Sequence, residues 1–308
     1  MSGAIALVGS GEFTPALESI DRELLAATGR RRPRVVIVAV AAGQAEAAER
    51  VAEIGRQHFA ALGAEVEPLA IHESTSANDP ANAQAVGEAD LVYLVGPRSN
   101  ALCGTLAGSS VGRSMSEMNR RGGAIAGCGA GAIALGAHEL GLRRRIGWPF
   151  RVRAGLGLVP GVAIMPAYDA RPEVLRLPPI LRAPRGTLVL GIDRETALLG
   201  DGALWQVQGR GRVTVWHGRR RSRHRDGEIL RIDPGRWPAR EADRGEPGGG
   251  PSAGSGGEGA GDRESGPVRG QDRRGSRSSL AAGGEDDLPP EAQDRPAEPA
   301  AAGALSDR

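Results

Sequence analysis

The sequence predicts an α/β fold: a doubly wound, mostly parallel sheet flanked by helices, with additional C-terminal strands and a disordered tail. Three observations carry that expectation. Short β-branched runs alternate with longer helical patterns through the first two thirds of the chain, the signature of parallel strands linked by helical crossovers. The run Asp90-Leu91-Val92-Tyr93-Leu94-Val95 is nearly all apolar, as a strand covered on both faces requires. Beyond Trp237 only Val268, Leu280, Leu288 and Leu305 are large aliphatics, amid Gly, Pro, Ser, Glu, Asp and Arg. Such a stretch buries too little surface to offset the entropy of ordering it. The expected organisation is one domain over residues 1–235 and a low-complexity tail over 236–308.

The elements follow in order. Ala4 to Val8 reads as a first strand ending in Gly9-Ser10-Gly11. A helical pattern runs from Thr14 to Ala27, with Thr14 suited to cap it and Pro15 to its first turn. Arg34 to Val40 is a β-branched second strand, and Ala45 to Leu62 a helix stopped by Gly63. Val66 to Ile71 is a third strand, followed by polar residues Glu73 to Asp79 and a short helix from Pro80 to Gly87. The fourth strand ends in a Gly96-Pro97 turn, and a helix over Ser110 to Arg121 leads to a fifth strand from Gly123. After Gly147 the segments shorten. Those at 155–158, 162–165, 187–192, 197–199, 203–207, 213–216 and 228–232 read as strands and hairpins extending the same sheet. One helix, Arg171 to Arg182, interrupts them.

Composition narrows the function. All 39 basic residues are arginine and 37 residues are acidic, so the net charge of +2 creates no strong global field. The run Arg219-Arg220-Arg221-Ser222-Arg223-His224-Arg225 reads as a solvated hairpin loop, because no aromatics are interleaved for base stacking. No nucleic-acid partner is expected. Two cysteines without metal spacing, Cys103 and Cys128, argue against a disulfide framework or a zinc site. No run of eighteen apolar residues and no signal-peptide pattern occurs, so the expectation is a cytoplasmic protein without membrane association.

The chemistry concentrates at Gly127-Cys128-Gly129-Ala130-Gly131, which closes the apolar run Gly123 to Ala126 and opens the helix-prone Ala132 to Leu135. This is the shape of a nucleophile elbow, in which small flanking residues let strand and helix approach while one side chain is thrust out above the sheet. Here glycine stands where the nucleophile would. A register one residue earlier also satisfies the small-residue rule and would make Cys128 the nucleophile of a cysteine hydrolase or amidotransferase-like enzyme. Its thiolate would need activation by a base or a helix N-terminus.

Three blocks taken in order resemble the signatures of the S51 serine peptidases, a family that includes cyanophycinase and dipeptidase E. The family has a class I glutamine amidotransferase-like fold. The elbow Ala126 to Ala132 is similar to the first block, Gly155-Leu156-Gly157-Leu158-Val159-Pro160-Gly161 with Pro166-Ala167-Tyr168-Asp169 to the second, and Gly191 to Ala197 to the third. The resemblance implies hydrolysis of aspartyl or β-aspartyl peptide bonds through an acyl-enzyme, without metal or cofactor. It also implies serine at the place of Gly129 and histidine at the place of Ala167, so both catalytic positions are degenerate.

The family's acidic residue would fall near Arg143-Arg144-Arg145, and Glu139 is the nearest carboxylate. The resemblance places the oxyanion donors at Gly96, Pro97 and Ala130, and proline has no N–H to give. Losing one such donor costs about a hundred- to a thousand-fold in rate. Glu12, Gln44, Arg98 and Asn100 fall at expected carboxyl ends of strands, where open α/β sheets bind ligands. His72 is the one histidine at such a strand end. The expected partners are an acidic or aspartyl peptide, which an arginine at that mouth would pair, and a second copy of the chain.

Overall fold

The computed structural model describes residues 2–41, 43–141 and 151–232. The chain divides into two units, Met1–Gly245 and Glu246–Arg308, and all described residues belong to the first. The expected boundary at residue 235, the tail beyond it and Arg143-Arg144-Arg145 lie outside the described residues.

The first half runs β1 (Ile5–Val8), α1 (Glu18–Ala27), β2 (Arg34–Val40), α2 (Ala45–Ala61), β3 (Glu65–Ile71), α3 (Ser74–Ala77), α4 (Pro80–Gly87), β4 (Leu91–Val95), α5 (Ser99–Leu106), α6 (Ser110–Arg120), β5 (Ala124–Cys128) and α7 (Ala130–Leu135). There follow β6 (Gly136–Leu140), β7 (Val152–Ala154), β8 (Val159–Pro166), α8 (Glu173–Leu181), β9 (Leu188–Ile192), β10 (Thr196–Gly200), β11 (Leu204–Gly209), β12 (Arg212–His217), β13 (Arg220–Arg225) and β14 (Ile229–Arg231).

Two sheets form, not one. The first has eight strands in the order β14-β11-β10-β1-β5-β4-β2-β3, and the second has six in the order β13-β12-β9-β8-β6-β7. The five expected parallel strands are present, since β1 pairs parallel with β5, β5 with β4, β4 with β2 and β2 with β3. The later strands were expected to extend that sheet. Only β10, β11 and β14 do so, and the rest build the second sheet. The reason is packing: Val162, Ile164, Leu188, Leu190, Val213 and Val215 share one continuous core with Leu198, Trp205 and Val207 of the first sheet. An apolar face on each sheet is satisfied by stacking on the other.

The remaining faces are covered by helices. Phe59 of α2 and Leu24 of α1 pack on Ile37, Tyr93 and Ala126 of the first sheet. On the second sheet, Ile180 of α8 packs with Ala163, Met165, Val189 and Trp216. Three local expectations fail. Residues 155–158 are not a strand, residues 136–140 form β6 beyond the elbow helix, and the arginine run that read as a loop is strand β13. Each failure has one cause, because polar or glycine-rich segments hold strand geometry only through neighbours the local sequence does not show.

The α1–α2 layer buries a hydrogen-bonded carboxyl–imidazole pair. The Asp21 carboxylate is fully buried and one oxygen lies 2.8 Å from His58 Nε2, while Oδ1 has no partner among the described residues. Burial raises the Asp21 carboxyl above its ordinary 3.8, and the hydrogen bond and charge of His58 only partly oppose that. A carboxyl whose folded value is raised holds its proton more tightly when folded. Its contribution to stability is therefore greatest below about pH 4 and is lost as pH rises through the folded value. His58→Ala should destabilise the protein by about 3 kcal/mol at neutral pH in urea unfolding, because it strands a buried charge. The Asp21→Asn, His58→Gln double variant should recover most of that loss, and equal stability of the two variants would refute the assignment.

Candidate active site

The site is organised by the carboxyl end of β1. Gly129 N–H donates to the Val8 carbonyl at 3.0 Å, Ala167 N–H to the Gly9 carbonyl at 3.2 Å, and Glu195 N–H to the Ser10 carbonyl at 3.3 Å. Gly9 N–H in turn donates to the Thr196 carbonyl at 2.9 Å. Three segments distant in sequence therefore converge on residues 8–10. Gly9 must lack a side chain, since a Cβ there would lie 2.0 Å from the Asp193 carbonyl oxygen.

The elbow has the geometry its sequence suggests. Gly129 has φ 54° and ψ −112° and caps α7 directly after β5. A Cβ on Gly129 would meet nothing within 4 Å, so a side chain there would project into open space. On either side the space is closed. A Cβ on Gly127 would lie 2.7 Å from the Gly131 carbonyl carbon, and one on Gly131 would lie 2.0 Å from the Leu94 carbonyl oxygen. Enforced glycines two residues before and two after identify Gly129 as the apex.

Cys128 is not at the apex. It ends β5 with its side chain in the apolar layer beside Val8, Tyr93 and Ala126, and its thiol donates to Glu12 Oε2 at 3.2 Å. Burial, followed by the negative charge of Glu12, pushes the thiol well above its ordinary 9.0. The rival register therefore lacks both exposure and a thiolate. Glu12, expected at the pocket mouth, is exposed there and its carboxylate accepts from this thiol.

Ala167 follows β8 in the left-handed conformation, φ 46° and ψ 46°, which non-glycine residues adopt at a cost. Its neighbours hold it there. Tyr168 is buried, its hydroxyl accepts from Trp216 Nε1 at 2.9 Å, and the Arg176 guanidinium lies 4.2 Å over its ring. The Asp169 carboxylate accepts from Arg194 N–H at 2.8 Å and from Arg194 Nε at 3.0 Å. Partial burial pushes that carboxyl up, but these Arg194 bonds outweigh it and hold the group below 3.8. The frame that would aim a residue-167 side chain is intact around a methyl group.

The turn at which the family resemblance places oxyanion donors follows β4. Gly96 is needed because a Cβ there would lie 2.4 Å from the Val40 carbonyl oxygen, and Pro97 beside it is exposed without an N–H. Ala130 opens α7 next to the apex. Arg98 and Asn100 are exposed at the start of α5, and the Arg98 guanidinium has no partner among the described residues. Gln44 is exposed at the start of α2, after β2, which is separated from β5 by β4. Glu139 reaches away to Ser99, whose hydroxyl donates to it at 2.9 Å. His72 sits at the end of β3, three strands from β5, with Nδ1 buried and unpartnered among the described residues.

Two non-glycine residues beside these turns also have positive φ, Phe13 at 60°, whose ring packs against Phe59 and Tyr93, and Glu195 at 52°. The sequence marks Gly9-Ser10-Gly11 as a strand end and Gly191 to Ala197 as a signature block, but not their convergence.

A two-sheet α/β protein with a strand–apex–helix elbow over open space belongs structurally with hydrolases built on that turn. Peptidase family S51 matches over residues 5–207, and the chain is a member of that family. It is 27% identical to a peptidase from an acI-B1 Actinobacterium, with a TM-score of 0.67, covering 75% of this chain and 98% of that one. A putative peptidase E protein from Listeria monocytogenes EGD-e is 15% identical, with a TM-score of 0.46, over 73% of this chain and 99% of that one. No curated protein matches.

Gly129→Ala should cost about 1–3 kcal/mol, the strain of an L-residue at that backbone conformation, with the fold retained. Gly131→Ala should cost more, because Leu94 must move; equal urea midpoints for the two would refute the steric reading. Iodoacetamide should leave Cys128 unmodified in native protein at pH 8 and alkylate it in urea. Cys103, pushed up to about 11 by burial and by Glu139, should behave alike.

Proposed function

We propose that this S51 member has lost serine-peptidase catalysis and keeps its cleft as a binding site for an acidic or aspartyl peptide. The observation that carries the reading is the apex at Gly129: the turn is built and the space above it open, yet no side chain enters it. Acyl transfer needs a hydroxyl nucleophile and an imidazole to take its proton. Gly129 and Ala167 supply neither. The Pro97 substitution removes a third contribution, a backbone donor for the developing oxyanion.

Binding asks less of the site. Arg98 lies exposed beside the turn, and its fork suits bidentate pairing with a carboxylate. Asn100, two residues along, offers a donor and an acceptor. A cysteine-hydrolase reading through Cys128 draws no support from a buried, protonated thiol. We place the protein in the cytoplasm. Among the described residues no helix is long and apolar enough to cross a membrane.

The test compares the unaltered protein with a Gly129→Ser, Ala167→His double variant in aspartyl-peptide hydrolysis. No turnover is expected from the unaltered chain and measurable turnover from the variant. Hydrolysis by the unaltered chain, or its labelling by a serine-directed phosphonate, would overturn the proposal. For binding, calorimetry should detect acidic dipeptides, and Arg98→Ala should weaken them roughly ten- to a hundred-fold, as expected for a lost charged hydrogen bond of about 1.5–3 kcal/mol. No heat with any acidic dipeptide would remove the binding half of the reading.

A further inference from the structure

Strand β13 ends the six-stranded sheet, with β12 on one side and, among the described residues, no strand on the other. Its register sets Arg221 opposite Trp216, Arg223 opposite Thr214 and Arg225 opposite Arg212. Directly opposed residues project to one face, so all four arginines share it. Arg221 is engaged, 2.8 Å from Glu173 Oε1 and 5.4 Å from the Trp216 ring centroid. The exposed Arg223 and Arg225 side chains have no hydrogen bond or ion pair among the described residues. Arg225 also faces the like charge of Arg212 across the ladder, an arrangement that destabilises a strand pair. The surplus is general, because residues 1–232 contain 29 arginines against 22 acidic residues.

We propose that the open edge of β13 docks an extended acidic peptide segment by strand addition. The incoming backbone pairs with the unpaired edge, and its alternate Asp or Glu side chains fall beside Arg223 and Arg225. Two features favour this partner. Side chains on one face of a strand repeat every two residues, about 6.8 Å, so an acidic strand matches the arginine spacing without adjustment. The aromatics on this face among the described residues, Trp216 and Tyr168, are both buried, which leaves no platform there for stacking bases. A second copy of this strand is disfavoured, because pairing would oppose arginine with arginine. The edge is distinct from the cleft: β13 is three strands from β8, which leads to Ala167, about 14 Å across the sheet. The proposal therefore stands independently of the cleft reading.

The experiment is fluorescence anisotropy of a labelled decapeptide alternating Asp and Thr, titrated with the full chain at low salt. Saturable binding is expected, weakened at least tenfold by the Arg223→Glu, Arg225→Glu double variant with its circular dichroism and melting temperature unchanged. N-methylation of alternate peptide amides, made in both registers, should weaken binding similarly in one register, and hydrogen exchange should show new protection of β13 amides. Any of four results would overturn the proposal: no binding; binding indifferent to N-methylation in both registers, which marks diffuse attraction; binding lost in Arg98→Ala but kept in the charge-reversed variant, which locates it in the cleft; or tighter binding of oligothymidylate than of the peptide. If the double variant unfolds, the N-methylation and exchange results decide alone.

Discussion

The four backbone hydrogen bonds at residues 8–10 are the constraint on which the site depends. Through them the end of one strand receives the elbow at Gly129, the turn at Ala167 and the turn at Glu195–Thr196. None of the four involves a side chain, so each survives substitution of the residue it positions. Only Gly9 is sterically irreplaceable, pressed against the Asp193 carbonyl oxygen. Buried backbone groups must be paired somewhere. A frame fixed this way does not depend on which side chains stand at the positions it holds.

The same logic explains which residues around the site are retained. Gly127 and Gly131 serve the approach of α7 to β5 and β4, and Tyr168 and Asp169 brace the turn after β8. These are folding requirements as well as catalytic ones, since relieving them would disrupt packing. The apex itself and residue 167 carry no packing duty that a larger side chain would be needed to perform. They are the positions where loss of chemistry leaves the structure standing.

Much of this was legible in the chain. The five parallel strands could be read because four of them are nearly all apolar, the third alternates, and all are bounded by glycine, proline or a cap, and the apex could be read from paired glycines at fixed offsets. What could not be read was long-range. Segments after Gly147 alternate in a way that suits any sheet edge, and only the shared core of Val213, Val215, Trp205 and Val207 decides that two sheets stack. Strand β13 is invisible locally because six polar or charged residues hold strand geometry through β12 alone. Glu12 reads as a strand-end residue by position, and its contact with a thiol on the neighbouring strand is long-range in the same way. Sequence places a residue at a strand end without specifying which way its side chain swings.

Glycine at 129 also changes the evolutionary arithmetic of this lineage. An L-residue at that turn would hold about 1–3 kcal/mol of conformational strain, whereas glycine holds little and gives back up to about 1 kcal/mol through the greater freedom of its unfolded chain. The remainder is a reserve in a protein class whose total stability is only about 5–15 kcal/mol. With more reserve, a larger share of random substitutions elsewhere leaves the chain folded, so its surface and loops tolerate more neutral drift than an L-residue at the apex would allow.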